Sequence, residues 1–261
     1  MDPFLASFKD RLGRAPLWID CERYVERVFA GSPPDWHSNP QRFAGAMAQA
    51  HGLTRSDVVA VPGLAAAFAD PGWHTETGAA ARALDTALKR PQSRAFLDEV
   101  LASLAHQLAG KAALVLELPS PGELLKARGI PAPHRLDDLD DVAAVLIALV
   151  RELSCQPVEA LVCVSNAGGL CDDEREACTP LFKAARYYGW GVVVRLDQAV
   201  DVAVRSSNLE LIGARLPGAL PPQIWYDDSV DIPPAAGWRF GTIPVDAAPE
   251  RVARRMRELT S

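Results

Sequence analysis

Charged side chains that close otherwise apolar runs are the residues of this 261-residue chain best placed to do chemistry. Glu117 sits inside LVLELP, Arg195 and Asp197 end GVVVRLD, and Asn166 follows ALVCVS. DCERY at 20–24 and YDD at 226–228 close two further runs. The set mixes carboxylates with guanidinium groups. Arg23 and Arg195 offer planar forks that grip a carboxylate through paired hydrogen bonds. Asp197, Glu117 and Tyr226 are the groups able to carry a proton to or from a reacting atom. Asn166 and His37 join the two arginines as candidate substrate contacts. The chemistry this suggests is capture of a small carboxylated molecule followed by proton transfer. A plainer role exists for each. Glu117 can pair with an arginine for packing alone, and Arg195 and Asp197, two apart on a strand, share a side and can pair with each other. The YDD segment also reads as a solvated loop.

Other candidates are weaker. The histidines at 37, 51, 74, 106 and 134 never fall into a spacing such as HExxH. His51 and His106 lie on helical stretches as packing or surface groups, whereas His37 and His74 sit in Trp-containing loops. Cys171 and Cys178 are too far apart for a structural zinc pair, and Cys21 reads as an inert packing thiol. SNAGGLCDDE (165–174) is a glycine-containing loop whose acidic residues oppose a phosphate. No metal and no cofactor are expected.

Positioning such groups requires a scaffold in which strands end at one mouth. Short apolar runs at 16–21, 57–61, 112–118, 160–165, 191–196 and 209–214 read as buried strands, with weaker candidates at 224–228 and 238–243. Amphipathic helices are predicted at 93–109, 139–153, 174–188 and 249–259, while 66–90 is Ala-rich and indecisive. Strand and helix alternate, which implies parallel βαβ units. Eight strands and the chain length point to a single (β/α)8 TIM-type barrel over residues 1–261, in which functional groups come from the carboxyl ends of strands. No GxGxxG or P-loop pattern supports an open nucleotide-binding sheet instead.

Composition narrows the class. Apolar residues make up 49% of the chain and the formal net charge is −6. That excludes disorder and speaks against nucleic acid as partner, even though the last helix carries Arg251, Arg254, Arg255 and Arg257 on a solvated face. The longest apolar run, VAAVLIALV, is half of the ~20 residues a bilayer demands. The N-terminal segment lacks a signal-like apolar core, and five cysteines without a CxxC pair suit a reducing compartment. A cytoplasmic protein, away from membranes, is expected.

Several segments together resemble the uroporphyrinogen decarboxylase and cobalamin-independent methionine synthase superfamily of barrels. PLWIDCERYVERV (16–28) is similar to the decarboxylase opening segment, and PSPGELLKARG (119–129) to the turn after a central strand. LCDDEREACTPLFKAARYYGWGVVVRLD (170–197) and GTIPVDAAPERVARRMREL (241–259) resemble the later strand–helix units. The resemblance implies a barrel, a carboxylated substrate, and a role for the Arg23-Tyr24 pair. Cys21 stands where decarboxylases hold a first arginine. Arg195 and Asp197 stand where the zinc-thiolate members carry His-x-Cys.

The reading that follows is a divergent decarboxylase-like enzyme working without a cofactor on a small carboxylate. Methyl transfer from a corrinoid or folate donor is a second possibility. A non-catalytic barrel acting as a subunit or binding protein, as a homo-oligomer or beside a partner chain, is a third.

Overall fold

Seven strands lie side by side in one parallel sheet in the computed structural model, which describes residues 4–75, 79–166, 170–196, 210–212, 218–234 and 237–260. They are β1 (Leu17–Asp20), β2 (Val58–Pro62), β3 (Ala113–Pro119), β4 (Ala160–Ser165), β5 (Gly191–Leu196), β6 (Glu210–Ile212) and β7 (Arg239–Thr242). Their order is β6-β5-β4-β3-β2-β1-β7, so neighbours in sequence are neighbours in the sheet except that the last strand returns to the first. The helices are α1 (Phe4–Leu12), α2 (Glu22–Val28), α3 (Pro40–Thr54), α4 (Ala65–Phe68), α5 (Pro71–Thr75), α6 (Ala80–Leu88), α7 (Pro91–Leu108), α8 (Pro121–Ala127), α9 (Leu136–Glu152), α10 (Asp172–Tyr187) and α11 (Pro249–Thr260). No described helix is long and apolar enough to cross a membrane.

The two-residue period of each strand divides the interior into two cores. One face carries Leu17, Ile19, Val61, Leu114, Leu116, Leu118, Leu161, Val194 and Leu196, packed against the helices. The other carries Trp18, Val58, Ala113, Val115, Ala160, Val162, Val193 and Phe240, packed with Phe4 and Phe8 of α1. Apart from Trp18 and Phe240, the strands place Ala and Val on this second face and Leu mostly on the first. That is the volume pattern of a sheet curled toward its second face, where the strands crowd together. Arg195 on β5 reaches Asp20 on β1, four strands away, at 3.4 Å. A flat sheet separates those strands by about 19 Å, beyond the reach of an arginine, so the curl is strong.

Helix α1 closes the amino-terminal end of this curl, and Gly191 makes room for it. A Cβ at Gly191 would fall on the Cβ of Phe4 and lie 2.8 Å from its Cγ. Gly191→Ala is therefore expected to lower stability by about 1–3 kcal/mol. An unchanged melting temperature would show that α1 is not seated there.

The described sheet is not the complete eight-stranded barrel expected from the sequence. Strands at 16–21, 57–61, 112–118, 160–165, 191–196 and 238–243 are found, and 209–214 is found as Glu210–Ile212. The segment 224–228 is not a strand. It holds a 3-10 turn, Pro222–Trp225, in which Ile224 and Trp225 are both buried instead of alternating. Its carbonyls face a guanidinium rather than a neighbouring strand, since Arg255 of α11 donates to Ile224 O at 3.0 Å and Asp227 O at 2.7 Å. The Asp227 carboxylate turns the chain by accepting the Ser229 N–H and hydroxyl, both at 2.8 Å. Among the described residues, what lies beyond β7 is an isolated bridge, Ala219 to Phe240. The predicted helices at 93–109, 139–153, 174–188 and 249–259 are α7, α9, α10 and α11, while the Ala-rich stretch divides into α4, α5 and α6.

Candidate functional site

Above the apolar layers, the concave face turns charged. Asp20 ends β1, Glu117 lies near the end of β3, and Arg195 near the end of β5, each two residues beyond an apolar side chain on the same face. Across β4 the register staggers them by two residues, Glu117 against Val162 and Arg195 against Val164, an offset that the tilt of strands in a curled sheet takes up. The Arg195 Nη1 donates to Glu117 Oε2 at 2.6 Å and to Asp20 Oδ2 at 3.4 Å. The Arg195 side chain is 12% exposed, so these pairs are only partly screened by solvent.

This triad lies in a cleft of about 600 Å³ whose lining also includes Glu22, Arg23, Asn166 and Thr242. Arg23 is exposed on the first turn of α2 and makes no ion pair among the described residues, so its guanidinium is the cation of the mouth best able to take an incoming anion. Three carboxylates, of Asp20, Glu22 and Glu117, line the cleft together with the two arginines. Among the described residues no three His, Cys, Asp or Glu side chains gather into a set that could hold a metal.

The other sequence candidates fall at varied distances from this cleft. Asn166 lines it, but its backbone N–H and Nδ2 both donate to Glu123 of α8 at 3.1 Å. His37 stands behind the lining. Its Nε2 lies 2.9 Å from Glu22 Oε1, which also accepts the Trp36 Nε1–H at 3.3 Å, so the loop carrying His37 fixes a carboxylate of the mouth. Tyr24 points into the core, 1% exposed and edge-on to Phe29, and does not line the cleft. Adjacent Arg23 and Tyr24 on a helix face different ways, which separates the pair expected to act together. Tyr226 is exposed, lies outside the lining, and donates to Asp246 Oδ1 at 2.5 Å. That hydrogen bond pushes the phenol above its ordinary value and holds the Asp246 carboxyl below its own. Asp197 lies outside the described residues. Burial, with Asp20 and Glu22 beside it, pushes the Cys21 thiol far up, in keeping with an inert packing role.

Two groups of the site were open to sequence reasoning in different degrees. Asp20 carried the same signal as Glu117, a charge at the close of an apolar strand. His51, Met47 and Thr54 of α3 also line the cleft, and nothing in their spacing marks them.

A buried carboxyl supports the loops beside the mouth. Glu174 on the first turn of α10 accepts the Gly122 N–H at 2.9 Å, joining the amino ends of α8 and α10. Burial pushes its pKa up, opposed by hydrogen bonds from Ser120 and Gly122. The folded chain thus holds this proton more tightly than the unfolded one. Stability falls as pH rises from the ordinary carboxylate range through the raised value. Glu174→Gln is expected to flatten that part of the stability–pH curve, measured by urea unfolding across the range. An unaltered slope assigns it to other groups.

What fold and site define together is an α/β chain with a curled parallel sheet and a charged cleft at its carboxyl edge. Comparison with protein-family models and with curated proteins finds no match to this chain.

Proposed function

We propose that the chain is an enzyme that binds a small carboxylated molecule in the cleft and moves a proton at or beside the carbon bearing that carboxylate. The observation that carries this reading is the Asp20–Arg195–Glu117 triad, a charged cluster facing inward where every lower layer is apolar. Partly buried charges of this kind cost stability, and their concentration in a cleft marks a functional site. Arg23 takes the substrate carboxylate. Arg195 positions Glu117, and Glu117 is the group that transfers the proton. Cofactor-free decarboxylation is the reaction that the uroporphyrinogen decarboxylase resemblance adds. The C–C bond breaks, CO₂ departs, its electron pair stays on carbon, and Glu117 relays a proton from solvent in the cleft to that carbon.

The sheet belongs to this reading as a TIM-type barrel with residues 218–220 in the place of its seventh stave. The return of β7 to β1 and the bridge from Ala219 to Phe240 support it. The free thiols of Cys21, Cys155, Cys163, Cys171 and Cys178 support a reducing, cytoplasmic setting.

The test is incubation with a panel of small carboxylates in D₂O, followed by proton NMR for deuterium uptake and by CO₂ release. Glu117→Gln is expected to slow uptake about a hundredfold, and Arg23→Ala to weaken binding with less effect on the bound step. Turnover that survives Glu117→Gln would remove Glu117 from the mechanism. A panel with neither exchange nor CO₂ release sinks the reading.

A further inference from the structure

The cleft has a second arm that proton transfer at its mouth does not use. Successive residues of a strand point to opposite faces of the sheet. Yet the cleft is lined both by Asp20 and Ala60, which face the concave side, and by Ile19 and Val59, which face the helices. A single cavity touching both faces passes through the sheet. It does so between β1 and β2, which pair at one register position, Trp18 with Val58. By contrast, β1 and β7 pair at four positions and β2 and β3 at five. Met47 and His51 of α3 line the far side of the opening.

This seam is built open. The Leu17 N–H, which would otherwise seek a β2 carbonyl, donates to Asp57 Oδ2 at 2.8 Å, and the Ile19 N–H donates to Ser56 Oγ at 2.9 Å. Arg14 holds the Asp57 carboxylate at 2.6 and 2.7 Å, and the Ser56 hydroxyl donates to Val58 O at 2.6 Å. Toward the mouth, Pro62 has no N–H to offer. With the Leu17 and Ile19 donors satisfied by side chains that precede β2, the strands stand apart here without orphaning those two groups.

We infer that the seam receives the uncharged arm of an elongated carboxylic acid whose carboxylate stays at Arg23. The aliphatic part of such a ligand passes between Ile19 and Val59 and lies against Met47, and a terminal hydroxyl meets His51. This rests on the proposed capture of a carboxylate by Arg23. His51 suits the end of such an arm, because burial holds its imidazole below the ordinary pKa against a hydrogen bond to the Ser56 backbone, and the other nitrogen of the neutral ring accepts a hydrogen bond.

The full chain titrated calorimetrically with straight-chain carboxylates from acetate to octanoate, and with the matching 1-alkanols, tests the inference. Affinity is expected to rise about fourfold per methylene until the arm is filled, then level off. Met47→Trp should end the rise at shorter chains and Met47→Ala extend it. Opposite shifts from the two variants guard against a mere folding defect in one. Affinity independent of chain length, or a series that neither substitution alters, overturns the seam. Length dependence that alkanols share equally, with no effect of Arg23→Ala, upholds the seam and sinks carboxylate capture instead.

Discussion

Arg255→Met is expected to lower folding stability by about 3–5 kcal/mol, the cost of breaking a buried charged network. The residue is 5% exposed on α11. Its guanidinium donates to the carbonyls of Ile224, Asp227 and Val230 at 3.0, 2.7 and 2.9 Å, and to Glu258 at 2.7 Å. Methionine matches the stem but supplies no donor, so the Ile224 and Val230 carbonyls lose the guanidinium and Asp227 O keeps only the Val230 N–H at 3.4 Å. Lysine restores the charge without the fork and should recover only part of the loss. Urea unfolding of the three proteins measures it. A loss below about 1 kcal/mol for Arg255→Met would show that water replaces the guanidinium readily.

Arg195→Met is expected to combine a loss of about 3 kcal/mol in stability with loss of the proposed activity. Its Nη1 touches both Glu117 and Asp20, so those carboxylate oxygens are no farther apart than the sum of the two contacts. Without the guanidinium the two negative groups repel one another across a partly buried space. The carboxylates remain about a fifth to a quarter exposed, which keeps the estimate at the lower end for a broken buried pair. Adding Glu117→Gln should return much of the lost stability, because it removes one of the repelling charges, but no activity. Simple additivity of the two substitutions in a double-mutant cycle would deny the coupling.

Much of the scaffold was legible in the sequence because its strands are buried on both faces. Runs such as ALVLEL and ALVCVS have no polar alternation, and that continuity is what a sheet covered by helices outside and by α1 inside requires. Glu117 and Arg195 were legible for a related reason. A charge closing such a run has nowhere to go except the end of the sheet. The errors arose where local pattern and tertiary partners disagree. IWYDD looks like a short strand, but its carbonyls are taken by Arg255, thirty or so positions later, which no local window sees. The resemblance joins Tyr24 to Arg23 in one role, although neighbours on a helix diverge. The seam beside β1 was illegible because Ser56 and Asp57 act there through long-range hydrogen bonds to Leu17 and Ile19, and their own types give no hint of it.

The return of β7 to β1 carries a consequence for how the chain reaches this state. Leu17 pairs with Arg239, so the ladder closes over almost the entire sequence. Contacts so far apart along the chain are reached late and slow the search. Until β7 arrives, the outer edge of β1 offers unpaired backbone groups to whatever strand is near. In concentrated refolding mixtures the β7 of another molecule competes for that edge, and exchange of β7–α11 between copies is the natural kinetic trap of this topology.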